Sequence, residues 1–315
     1  MSDLSLEATD FRRNSRALWW IVAVTAAATA IGLFATGLAV DFKSNPALLL
    51  LAAAYAAVAI FYRYIRFDER LSQALTAVAQ LLLIVLLGLL LSYVAAIPAM
   101  PYRDADLLAI DQWLGFDRTS YVRCLTDSTW KIRLSSIIYL AMLPQLAAVP
   151  LLLILASRTM RLQQFALAYG IALISTIAIF AFVPAVGAFV YHDLTPAQYA
   201  TLPPDIYTPA RSLDALRAGV MKVIPLNHLE GLIAFPSFHT AAAILYAWAL
   251  WPVRLVRWPI VALNTAILFT TPVDGAHYLI DVIAGAIVTL GSIALSAWIC
   301  GSRTAPASLP AIQSA

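Results

Sequence analysis

The sequence predicts an all-α membrane protein, a polytopic helical bundle of about eight transmembrane helices. Three observations predict it. The chain is 62% hydrophobic and only 12% charged, whereas a soluble domain is roughly 45–50% apolar and about 25% charged. Its apolar runs recur at lengths near the roughly 20 residues that a helix needs to cross hydrocarbon. Lys and Arg gather at alternate ends of those runs, the asymmetry that orients membrane proteins.

Taken in order, the candidate spans are Leu18–Val40, Pro46–Tyr62, Leu71–Ile97, Leu134–Ala156, Leu162–Tyr191, Phe235–Pro252, Leu255–Pro272 and His277–Cys300. The seventh is short and carries Arg257 and Pro259 at its start. Residues 1–17 read as a cytoplasmic N-terminus, and residues 301–315, rich in Ser, Ala and Pro, as a flexible tail. With the N-terminus inside, the inner ends hold eleven cations against five acids, and the outer side nine cations against twelve acids. Every short inner loop is then basic, so eight spans with both termini cytoplasmic is self-consistent. Two polar stretches, Pro98–Arg133 and His192–Ala234, fall outside the membrane on the extracytoplasmic face.

The formal net charge of +3, with its basic residues at segment ends, gives no nucleic-acid partner. Cys124 and Cys300 fall on opposite sides of the membrane in this topology, which argues against pairing within the chain. Trp19, Trp20, Trp113, Trp130, Trp251 and Trp258 lie near span ends and read as interfacial anchors.

All four histidines lie on the outer side or at its boundary. His192 and His228 read as loop residues. The other two open apolar runs, in FPSFHT (Phe235–Thr240) and GAHYLIDVIAG (Gly275–Gly285). In the second motif His277 and Asp281 are four residues apart, on one helix face. Asp281 lies a turn inside an otherwise uncharged span, where a carboxylate costs several kcal/mol without a partner. Such a pair fixes the proton on one ring nitrogen and leaves the other free as nucleophile or base. It equally fits a helix-end ion pair. In the first motif Pro236 suits a helix start. Ser237, Phe238 and His239 then offer free backbone N–H groups, an anion site, beside a histidine able to move a proton. A plain Pro-Ser cap with an interfacial histidine fits the same residues. Taken together, the motifs place an anion pocket, an oriented histidine and a second histidine at one depth, the layout of in-line phosphoryl transfer.

PSFH followed by HYLID resembles the P-S-x-H and H-x-x-x-D motifs of the type 2 phosphatidic acid phosphatase superfamily. The H-Y-x-x-D-x-x-x-G run is similar to that of its inositol phosphorylceramide synthase-like branch. The segment DADLLAIDQWLGFD (Asp104–Asp117) looks like a stretch found in bacterial members. The resemblance implies a six-helix phosphatase-like core within residues 71–300, with residues 18–70 as two additional transmembrane helices. It implies His277 as nucleophile, Asp281 as the group that orients it and His239 as general acid. The partners implied are a lipid phosphate and the bilayer, with no metal and no cofactor, in a bacterial inner membrane. Two features of the superfamily are missing: a lysine seven residues before Arg-Pro, and the Ser-Arg that opens the third motif, where Thr270 and Thr271 stand. The phosphate-binding cation must then come from elsewhere. Outer-side candidates are Arg133, Arg211, Arg217 and Lys222, with Arg217 and Lys222 taken beside Ser237 and Phe238 as the phosphate-binding set. Asp274, near His277, is expected to point away, hold a cation or contact an acceptor. Water as acceptor makes the chain a phosphatase and a hydroxyl makes it a headgroup transferase. Two other readings are a zinc enzyme using His239, His277 and Asp281 as ligands, and a non-catalytic transporter or scaffold.

Overall fold

A computed structural model describes residues 3–98, 100–191 and 207–301. His192 and the 302–315 tail therefore lie outside the described residues. The chain is a multi-pass helical bundle. In order it forms α1 (Asp3–Thr36), β1 (Ala39–Asp41), α2 (Pro46–Ile60), α3 (Glu69–Ala96), α4 (Asp104–Trp113), α5 (Arg118–Thr126), α6 (Thr129–Leu140) and α7 (Met142–Leu155). There follow α8 (Thr159–Phe182), α9 (Ala188–Tyr191), α10 (Thr208–Arg217), β2 (Val223–Pro225), α11 (Phe238–Leu250), α12 (Arg257–Asp274) and α13 (Leu279–Cys300). The two short strands pair in parallel, Ala39 with Val223.

Among the described residues, five helices are long and apolar enough to cross a membrane: Asp10–Thr36, Pro46–Ile65, Glu69–Ala96, Thr159–Phe182 and Leu279–Cys300. The expected fourth span is instead α6 and α7, bent by 40° at their junction. Pro144 lies in the first turn of α7, lacks an N–H to carry the helix ladder through, and so breaks it there. The expected fifth span stops at Phe182 rather than Tyr191, because Val183 precedes Pro184 and leaves the helical region (φ −128°, ψ 63°). The expected sixth, α11, is only 13 residues, about 20 Å against the roughly 30 Å of hydrocarbon. The expected seventh, α12, has 18 residues, but Asn264, three threonines and its terminal charges dilute its apolar character.

Helix starts follow from capping. The Asp68 carboxylate accepts from Leu71 N–H at 2.9 Å and the Asn45 side chain from Leu48 N–H at 3.1 Å, each satisfying an orphan donor of the first turn. The main core lies among α1, α3, α7, α8 and α11, with Leu81, Ile84, Leu153, Phe165 and Leu245 fully buried. By contrast α2 has no buried residue. Two smaller clusters place the site. Val122 of α5 and Phe189 of α9 pack on Val273 and Ala276, while Leu107 of α4 packs with Ala185, Ala188 and Tyr278. The short helices α4, α5 and α9 thus press on the segment that carries His277.

Candidate active site

Both histidine motifs sit at helix starts because their residues cap. Ser237 is the N-cap of α11, its Oγ accepting from Thr240 N–H at 3.3 Å. His239 is consequently in the first turn. Tyr278 is the N-cap of α13, and Asp281 accepts from its backbone N–H at 2.9 Å. Glycine lets the two helices meet. A Cβ on Gly285 would lie 2.4 Å from the Ser237 carbonyl, so only a residue without one permits this approach.

The pair within α13 is formed: His277 Nδ1 lies 3.1 Å from Asp281 Oδ2, with His277 3% and Asp281 0% exposed. Where Asp281 is ionised, its carboxylate accepts from Nδ1–H, which leaves the lone pair on Nε2. Nε2 faces the Ser237 hydroxyl at 3.3 Å. The His239 and His277 ring centroids are 6.0 Å apart, inclined at 59°. One imidazole, paired with a carboxylate, thus stands beside a second one.

Several expectations need correction. The Ser237 backbone N–H is not free, since it donates to the Asp281 carbonyl at 3.0 Å; it locks α11 to α13 instead. Phe238 and His239 keep first-turn N–H groups without helical acceptors. The Phe238 ring itself turns inward against Tyr169, at 5.2 Å. Arg217 and Lys222 are not brought to the histidines by any contact described for them. The Arg217 Nε donates to the Ala96 carbonyl at 3.3 Å, and its guanidinium lies 4.0 Å from the Tyr102 ring centroid. The Lys222 carbonyl accepts from Ala39 N–H at 2.9 Å, beside the short sheet. Asp274 accepts from the hydroxyls of Ser135 and Ser136, the latter at 2.7 Å.

Sequence reasoning missed four residues. Tyr139 of α6 stacks on His239, with centroids 4.7 Å apart and an interplanar angle of 19°. Arg118 is 8% exposed, and its Nη2 donates to the His277 carbonyl at 2.6 Å. Asp111 accepts from the Leu279 and Ile280 N–H groups, both at 2.9 Å. Asp104 accepts from the Tyr278 hydroxyl at 3.1 Å. A faint signal existed: Asp104 and Asp111 are seven residues apart on one face of α4. Burial raises the Asp104 carboxyl above its ordinary range, opposed by the N–H groups of Val186 and Gly187 and by the Tyr278 hydroxyl. Burial also weakens the Arg118 guanidinium, which Asp111 partly restores.

Among the described residues, no three His, Cys, Asp or Glu side chains are grouped so as to hold a metal ion. Cys124 and Cys300 are both free thiols. The sequence model of the PAP2 superfamily matches residues 105–295, from α4 to most of α13. Comparison with curated proteins found no match, and neither did comparison with solved structures.

Proposed function

The chain belongs to the PAP2 superfamily, and from that premise we propose a lipid phosphatase or phosphotransferase that works through a phosphohistidine at the extracytoplasmic face. The observation that carries this reading is the pair of rings 6.0 Å apart, one of them oriented by a buried carboxylate. The His277 Nε2 lone pair attacks phosphorus while the bond to the leaving oxygen breaks. His239 supplies that oxygen with its proton. Water then attacks the phosphohistidine, His239 takes the proton, and phosphate leaves with His277 restored. The Ser237 hydroxyl and the Phe238 and His239 N–H groups hold the equatorial oxygens. Asp281 keeps Nε2 as the nucleophile throughout. The catalytic unit is residues 71–300, with α1 and α2 as additions to it.

The site sits where a lipid's scissile phosphate lies, between water and hydrocarbon, and the basic inner loops support the outward orientation. Transfer to a lipid hydroxyl uses the same two histidines, and the H-Y-x-x-D-x-x-x-G run favours that branch. Purified protein in detergent is expected to release phosphate from short-chain phosphatidic acid or from undecaprenyl diphosphate, with or without chelator. His277→Ala is expected to abolish release at unchanged expression. Product formed only when an inositol or sugar acceptor is added assigns transfer instead. Release that persists in His277→Ala overturns the mechanism.

A further inference from the structure

Five consecutive residues ending at the first turn of α13 are each gripped by a part of the chain 88 to 174 positions away in sequence. The Ala276 carbonyl accepts from Ala188 N–H at 2.8 Å. The His277 carbonyl accepts from Arg118 at 2.6 Å. The Tyr278 hydroxyl donates to Asp104 at 3.1 Å. The Leu279 and Ile280 N–H groups donate to the two Asp111 oxygens, each at 2.9 Å. Ala276 is also held in the left-handed region, with φ 52°, which costs a non-glycine residue roughly 1–3 kcal/mol and persists only where surroundings enforce it.

We propose that Asp111 and Arg118 are a positioning pair that sets His277 for attack. The outer-side helices α4 and α5 would then be part of the catalytic apparatus rather than a cover. Arg118 and Asp111 lie 3.8 Å apart, so one grips the backbone just before the α13 cap and the other the backbone just after it. Asp111 also satisfies two of the four orphan donors at the α13 start and places negative charge on its positive end. The Arg118 fork spans two carbonyls, those of His277 and Pro272 at 3.3 Å, a task one ammonium cannot reproduce. Neither side chain meets the phosphate: both act through the His277 backbone.

The kinetic role rests on the phosphoryl-transfer reading, so the test has one arm that does not. Backbone hydrogen exchange over residues 277–282 is measured by mass spectrometry in detergent-solubilised Asp111→Ala, Asp111→Asn, Arg118→Met and Arg118→Lys. Turnover of short-chain phosphatidic acid is measured in parallel, with the exposed Asp127→Asn as control. Exchange is expected to rise about tenfold or more in Asp111→Ala. The turnover number kcat is expected to fall about 10²-fold, as for a reacting group displaced by roughly 1 Å, with KM within about threefold. Arg118→Lys is expected between wild type and Arg118→Met, and the double variant to lose less than the product of the single losses. Wild-type exchange in a folded Asp111→Ala, or wild-type kcat in both Asp111→Asn and Arg118→Lys, overturns the proposal. A wild-type protein silent on every lipid phosphate overturns the phosphoryl-transfer reading, and the exchange arm then decides the grip alone.

Discussion

Gly285→Ala tests how the site is assembled. Gly285 is on α13, one turn beyond Asp281, facing the start of α11. Its new Cβ would stand 2.4 Å from the Ser237 carbonyl oxygen and 3.1 Å from Thr240 Cβ, where ordinary contact begins at 3.4 Å. The obstacle is backbone, so no rotamer change relieves it. The helices must part by about 1 Å, an overpacking strain worth roughly 1–3 kcal/mol. The same displacement stretches the Ser237–His277 contact from 3.3 Å to beyond about 4 Å, outside hydrogen-bonding range. A misplacement of this size costs about 10²-fold in rate. Gly291 is the internal control, on the same helix but with nothing within 4 Å of an added Cβ. There alanine is expected to be neutral or to stabilise by up to about 1 kcal/mol through helix propensity. Apparent melting temperature and phosphate release in detergent are measured for both. A Gly285→Ala protein that melts and turns over like Gly291→Ala would refute the close helix approach and the dependence of the site on it.

Other substitutions probe separate links. Asp281→Asn keeps the volume but can present its amide N–H to Nδ1, moving the ring proton to Nε2; a fall of about 10²–10⁴-fold in kcat is expected, with little change in KM. Tyr139→Phe should preserve the ring on His239 and stay near wild type, while Tyr139→Leu loses a stack worth about 0.5–1.5 kcal/mol and should slow turnover roughly 3- to 10-fold; equal rates would remove Tyr139 from the site. Asn14, 1% exposed, has both side-chain polar atoms buried without partners among the described residues. Replacing it with Leu removes a penalty of about 1–3 kcal/mol, and the melting temperature is expected to rise; a fall would show that the amide has partners.

Several features were legible because their causes are local. Span length is set by hydrocarbon thickness and the 1.5 Å helical rise, so apolar runs announce the helices. The contact of His277 with Asp281 follows from four-residue spacing, and the Ser237 cap from residue type. Boundaries went wrong where one residue's backbone overrides the pattern, as Pro184 does at the end of α8 and Pro144 at the bend between α6 and α7. The cations are a different case. Charge and loop position single out Arg217 and Lys222, but where a cation ends up depends on packing, and the arginine that donates to the His277 carbonyl is Arg118.

The sequence by itself determined a membrane helical bundle and the make-up of its histidine motifs, since each rests on interactions within a few residues. Only the tertiary structure decided that Ser237 meets Nε2 of His277, that Tyr139 covers His239, and that Asp111 and Arg118 grip the residues around His277. Those contacts join positions 40 to 169 apart. Several of them end on backbone N–H and C=O groups, which every residue carries alike. Side-chain identity therefore leaves no mark of them until packing has brought the chain together.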